Sequence, residues 1–223
     1  MSTEKHDIEQ ISVSNEPGAL PKGSQPRPMR PSRIANAGPA GIFSFASTTF
    51  ILSMFNVNAR GIHTPNIVVG MAAFTGGLLQ FIAGMWEFPR GNVFGATAFA
   101  SYGCFWMSYA LIFIPGSGIL SAYSSPQELG NAIGIYLITW MMVTLLFIIP
   151  VVRRNVSFVV LLSILALAFA LLAAGSFTGM ANITKAGGIV GIIVALVAYY
   201  IGVSEMLEAE TRPIMRLPRG VYN

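Results

Sequence analysis

Six long apolar stretches run through this chain, at about residues 38–56, 66–85, 94–114, 131–150, 156–174 and 187–204, and none contains a charged residue. A helix crossing a hydrocarbon core of roughly 30 Å needs about 20 apolar residues. The run from Val156 to Ala174, VSFVVLLSILALAFALLAA, meets that requirement alone. The stretches therefore predict an all-α membrane protein, a six-transmembrane-helix bundle. Composition agrees: charged residues are 10% of the chain, against about 25% in soluble domains.

Charge distribution predicts the orientation. Eleven cationic residues fall on one side: Lys5, Lys22, Arg27, Arg30 and Arg33 before the first span, Arg90, Arg153 and Arg154 in connections, and Arg212, Arg216 and Arg219 after the last. Only Arg60 and Lys185 fall on the other. The positive-inside rule then puts both termini in the cytoplasm of a multi-pass plasma-membrane protein. An even number of spans also puts both termini on one side. Residues 1–35, polar and rich in Pro and Gly, read as a disordered cytoplasmic tail with no cleavable signal peptide. Residues 36–206 read as the membrane domain and 207–223 as a second cytoplasmic tail.

Glycine pairs at G-x-x-x-G spacing, Gly91/Gly95, Gly130/Gly134 and Gly187/Gly191, read mainly as close helix packing within the chain. Pro39 falls in the first turn of the first span, where a missing N–H costs little. Pro126 reads as part of a long outer loop over 115–130, Pro115 as the stop of the third span and Pro150 as the stop of the fourth. No discontinuous helix is evident.

Enzymatic chemistry finds no constellation here. His6 lies in the tail and His63 in an outer loop, and Cys104 is the only cysteine. No metal site and no cofactor is expected. Cys104 reads as a small packing residue. Asn182-Ile-Thr184 is a glycosylation sequon, but in a loop too near the bilayer to be used. Polar residues inside the spans say more. Ser44 and Thr48 in the first span, Gln80 in the second, and Thr97 and Ser101 in the third suit either a wet path or bonds between helices. Glu87 and Glu205, at the cytoplasmic ends of the second and sixth spans, suit proton handling if buried, or an ion pair with Arg90 or a tail arginine. No span offers a formal positive charge. Moving an isolated ion into a low-dielectric medium costs tens of kcal/mol in the Born limit. The permeant is therefore expected to be small, and neutral or protonated at the narrowest point.

Several stretches together resemble the acetate uptake transporter family, which includes bacterial succinate–acetate permeases and fungal acetate/ammonia transporters. They are Thr64-Pro-Asn-Ile-Val-Val-Gly70, Gly76-Gly-Leu-Leu-Gln-Phe-Ile-Ala-Gly84, Trp86-Glu-Phe-Pro-Arg-Gly-Asn-Val-Phe-Gly95, Ser101-Tyr-Gly-Cys-Phe-Trp106 and Phe169-Ala-Leu-Leu-Ala-Ala-Gly175. The wording of Arg60-Gly-Ile-His-Thr-Pro-Asn66 is similar to fungal members. The family's first-span signature, N-P-A-P-L-G-L/M, stands here as Asn36-Ala-Gly-Pro-Ala-Gly-Ile42. Asn36, Pro39 and Gly41 keep their places, and the resemblance ties them to substrate handling.

The resemblance implies a homo-hexamer with one permeation path per subunit. It also implies a constriction of Phe45, Tyr102 and Leu165. Such an apolar neck gates by dewetting and discourages ions. The expected function is passage of acetate and similar small monocarboxylates, with a proton or as the protonated acid, succinate being less readily neutralised. Ammonia or ammonium export is the alternative, because ammonia is also small and neutral. A third reading is an acetate-responsive membrane sensor with little transport, in keeping with the altered first-span signature.

Overall fold

The computed structural model describes residues 34–153 and 155–221. The expectation of a disordered tail falls mostly on residues outside those described, as does the charge of Arg154. Among the described residues, six helices are long and apolar enough to cross a membrane: α1 Gly38–Asn56, α2 Ile67–Glu87, α3 Val93–Phe113, α4 Pro126–Val151, α5 Val156–Thr178 and α6 Ala181–Ala209. The chain is a multi-pass, all-helical membrane protein. Each helix reverses the last, so the segment before α1 and the segment after α6 emerge at the same end, here the termini side.

Three helix starts on that side are capped by asparagine or by a carboxylate brought from afar. Asn92 Oδ1 accepts the Gly95 N–H at 3.2 Å, and Asn155 Oδ1 accepts the Ser157 N–H at 3.0 Å. At α1, Asn36 Oδ1 takes the Gly38 N–H at 3.0 Å and Glu87 Oε1 takes the Ala37 N–H at 3.0 Å. These bonds satisfy donors that a helix start otherwise leaves open. On the opposite side, Ser125 Oγ accepts the Glu128 N–H while the Glu128 carboxylate bonds Ser124.

The last helices are longer than the apolar runs suggested. Pro126 opens α4 instead of lying in a loop, and Pro150 sits inside its last turn. The sequon and Lys185 lie in the first turns of α6, not in a connection. Helix α6 ends at Ala209, beyond the boundary at 206.

Helix α2 is interrupted, which the sequence reading did not expect. Phe74–Leu79 forms a π-helical turn between two α-helical pieces. Two glycines allow it. A Cβ on Gly76 would lie 2.7 Å from the Thr48 hydroxyl, and one on Gly77 would lie 2.5 Å from the Ala72 carbonyl oxygen of its own helix. One extra residue in the turn rotates everything after it by part of a turn. Gln80, the next residue, is thereby turned inward and is 1% exposed.

The glycine pairs pack as expected in part. Gly134 faces the Phe177 ring, Gly187 faces Leu172, and Gly191 faces Ser53. Gly91 instead occupies a left-handed turn, φ +78°, between α2 and α3, where a side chain would be strained.

Candidate functional site

Two cavities lie end to end inside the bundle. The first, about 320 Å³, opens among Asn36, Arg90, Asn92, Asn155, Glu205 and Arg219 on the termini side and reaches down to Phe45, Tyr102 and Leu165. The second, about 220 Å³, starts from Phe45 and Leu165 and runs to Asn56, Phe113, Ser176 and Thr184 near the opposite helix ends. Phe45 and Leu165 border both. Phe45 lies seven residues into α1, about 10 Å along a helix rising 1.5 Å per residue.

The meeting point is an apolar neck. The Phe45 and Tyr102 rings lie 5.8 Å apart, and Tyr102 is also flanked by Trp140 at 6.1 Å and Phe147 at 5.8 Å. One polar atom stands there, the Tyr102 hydroxyl, 2.9 Å from Thr144 Oγ1. Thr144 donates its own proton to the Trp140 carbonyl at 2.7 Å. Tyr102 must therefore be the donor to Thr144. Its proton is committed, and what it still offers toward the path is acceptor capacity.

Uncommitted hydrogen-bonding groups stand on both sides of the neck. Gln80 lines the first cavity with no partner for its Oε1. Thr49 and Trp106 line the second, and neither the Thr49 hydroxyl nor the Trp106 indole N–H has a partner. Gln80 was legible from sequence as a polar residue within a span. Trp106 and Thr144 were not singled out, since neither an indole nor a lone threonine stands out in an apolar helix.

The remaining residues suggested by sequence separate into two groups. Asn36 and Glu205 line the first cavity. Pro39, Gly41, Ser44, Thr48, Thr97 and Ser101 line neither cavity. Pro39 sits in the opening turn of α1. A Cβ on Gly41 would press on the Phe99 ring at 2.9 Å. The Ser44 hydroxyl donates back to the Ala40 carbonyl of its own helix, and Thr48 packs on Gly76. Thr97 is exposed on the outside of the bundle, its hydroxyl bonded to the Val93 carbonyl at 2.8 Å. Cys104 is exposed too. The polar face of α3 thus points away from the lumen while Tyr102 points into it, because adjacent helix positions diverge by about 100°.

Glu87 and Glu205 differ in the same way. Glu87 is fully buried and lines neither cavity. Its carboxylate accepts from Arg90 Nη1 at 2.5 and 2.7 Å, from Asn92 Nδ2 at 2.7 Å and from the Ala37 N–H at 3.0 Å. Arg90 Nη1 also reaches Asn36 Oδ1 at 2.6 Å. Glu87 is thus a clasp joining the starts of α1 and α3 to the end of α2. Glu205 faces the cavity and pairs with Arg219 Nη1 at 3.0 Å. The two guanidiniums at this mouth belong to a connection and to the segment after α6, so beyond this mouth neither cavity has a cation among its described lining residues.

Known proteins give the same fold. The family model described as GPR1/FUN34/yaaH family matches residues 18–219. The chain is 46% identical over 184 residues to ammonia transport outward protein 2 of Saccharomyces cerevisiae, covering 82% of this chain. It spans 64% of that protein's length. It is 34% identical over 182 residues to the succinate-acetate/proton symporter SatP of Escherichia coli, covering 80% of this chain and 92% of that one. The solved structure of the bacterial acetate channel SatP matches with a TM-score of 0.74 at 33% identity, covering 84% of this chain and 100% of that one. With its six spans accounted for and its matched stretch running through all of them, the chain belongs to the GPR1/FUN34/yaaH family.

Proposed function

We propose that this chain conducts acetate and similar small monocarboxylates across the plasma membrane, as the neutral acid or as the anion accompanied by a proton. The observation that carries this reading is the neck: Phe45 and Leu165 border both cavities, and the hydroxyl of Tyr102 beside them already donates its hydrogen bond to Thr144. An acceptor oxygen at a constriction welcomes the O–H of a protonated acid and repels a carboxylate. A desolvated carboxylate would find no donor there to replace its water. Gln80, just above the neck, has a donor and an acceptor side by side, as a protonated carboxyl group does. Glu205 is the carboxylate facing the cavity that can exchange a proton with the permeant, and Glu87 holds the mouth in shape.

Ammonia is the second reading, supported by the 46% identity to a protein named for outward ammonia transport. Ammonia also donates N–H to an acceptor at the neck and carries no charge. Both termini are assigned to the cytoplasm on the eleven-to-two division of cationic residues. The subunits are assigned to a hexamer. Thr97 on the outward face of α3 is a small residue of the kind that lets helices of neighbouring subunits approach closely.

The test is uptake by purified protein in liposomes across a pH series, with acetate, succinate and ammonium offered separately. Acetate flux should fall as the acid form disappears, and succinate should be slower throughout. Fast acetate passage at alkaline pH, undiminished as the acid vanishes, refutes the neutral-acid reading. No passage of any of the three refutes transport.

A further inference from the structure

The segment after α6 does not leave the bundle. It turns back, and residues 217–221 are bonded to α5 and α6. The Leu217 carbonyl accepts from Ser204 Oγ at 2.9 Å, and the Pro218 carbonyl from the Tyr200 hydroxyl at 2.6 Å. The Arg219 carbonyl accepts from the Ser157 hydroxyl at 2.7 Å and its N–H at 3.2 Å, and the Gly220 carbonyl from the Val156 N–H at 3.0 Å. Four consecutive carbonyls are thus satisfied by the membrane helices. Val221 completes the docking with an antiparallel bridge to Asn155.

This docking delivers side chains to the permeation path. Arg219 and Val221 both line the first cavity at its termini-side mouth. The Arg219 guanidinium is held between two carboxylates of α6, bonding Glu205 at 3.0 Å and Glu208 on its other arm. Glu205 is 13% exposed and Glu208 66% exposed. The Glu208 carboxylate therefore stands in solvent, where its share of the ion pair contributes little and salt screens it. The carbonyl bonds rest on three side-chain hydroxyls and on two backbone N–H groups at the start of α5, not on a sheet. This is an attachment that can open without unfolding a helix.

We propose that residues 217–221 form a strap across the termini-side mouth, latched by Arg219 between Glu205 and Glu208, which restricts access to the first cavity. The proposal does not depend on what permeates, because it concerns access to a cavity and not passage through the neck.

Access can be timed by thiol labelling in the full-length protein. Cys104→Ser removes the chain's only cysteine. Ala98→Cys then places one thiol on the cavity wall, where Ala98 is 6% exposed. The probe is methyl methanethiosulfonate, small and uncharged, so that removing the Arg219 charge does not by itself change its approach. Arg219→Gln is expected to raise the labelling rate severalfold, since the latch loses its charge. Should that variant fail to fold, Tyr200→Phe combined with Ser204→Ala decides. It removes two of the hydroxyl donors to the strap, leaves every charge in place, and is expected to raise the rate in the same direction. A labelling rate equal to that of the latched protein in the variant that decides overturns the strap. Because the readout needs no flux, a failed strap and a failed transport reading remain separate results.

Discussion

Replacing Thr144 with Val isolates the chemistry of the neck. Valine keeps the shape of threonine and removes the acceptor that the Tyr102 hydroxyl now uses at 2.9 Å. Losing that bond costs the fold about 1 kcal/mol, as for a typical neutral hydrogen bond. The larger penalty of a stranded buried group is avoided, because Tyr102 borders a cavity that water or permeant can reach. Function should change more than stability. Freed of Thr144, the Tyr102 O–H becomes a donor facing the path. A hydrogen bond to a charged group contributes about 1.5–3 kcal/mol, which is roughly a ten- to hundredfold easier passage for a carboxylate. In the unmodified protein, acetate flux should fall about tenfold per pH unit once pH exceeds the acid's pKa. In Thr144→Val the decline should be shallower, so that the variant overtakes the unmodified protein at neutral pH. Thr144→Ser, which keeps the hydroxyl, should restore the steep decline. The assay is initial acetate uptake into liposomes over a pH series. Identical slopes in all three proteins refute the idea that the state of this hydroxyl sets discrimination against the ion.

Phe45→Ala removes the ring that borders both cavities and should join them; the prediction is a higher succinate-to-acetate flux ratio without loss of the folded assembly, read by competitive uptake and size-exclusion chromatography. Tyr102→Ala should also alter selectivity or rate, and unchanged transport in both variants would remove the neck from the mechanism. Glu87→Gln breaks an ion pair between a buried carboxylate and a half-buried guanidinium that joins three helix ends; the expected loss is about 1–3 kcal/mol, the scale of hydrogen bonds to a charged group whose remaining cation can reach water, read as a lower unfolding midpoint in detergent. Gly77→Ala puts a methyl group within 2.5 Å of the Ala72 carbonyl oxygen and of the Met107 side chain; it should destabilise by about 1–3 kcal/mol, as overpacking does, and should reduce flux by displacing Gln80, measured together by thermal unfolding and uptake.

The residues themselves determined the architecture, and the reason is solvation. In a bilayer, an apolar run of about 20 residues has few options besides a spanning helix. Val156–Thr178 is such a run, and so is each of its neighbours. The two-sided sorting of Lys and Arg is equally local, since it depends only on which end of a span a residue lies near. The tertiary structure decided which polar residues meet the lumen. Thr97, Ser101 and Tyr102 are neighbours in sequence, yet only Tyr102 reaches the neck, because the rotation of α3 is set by packing against the rest of the bundle. Gln80 faces inward because two glycines let α2 gain a residue in one turn, a register change that no periodicity in the sequence announces. Glu87 and Glu205 read alike as carboxylates at helix ends. Distant partners separate them: four bonds seal Glu87 away, while the returning segment brings Arg219 to Glu205 at the mouth of the path. Hydrophobicity acts on each segment alone and can be read one segment at a time. A cavity wall is assembled from several segments at once, so its composition exists only after they have packed.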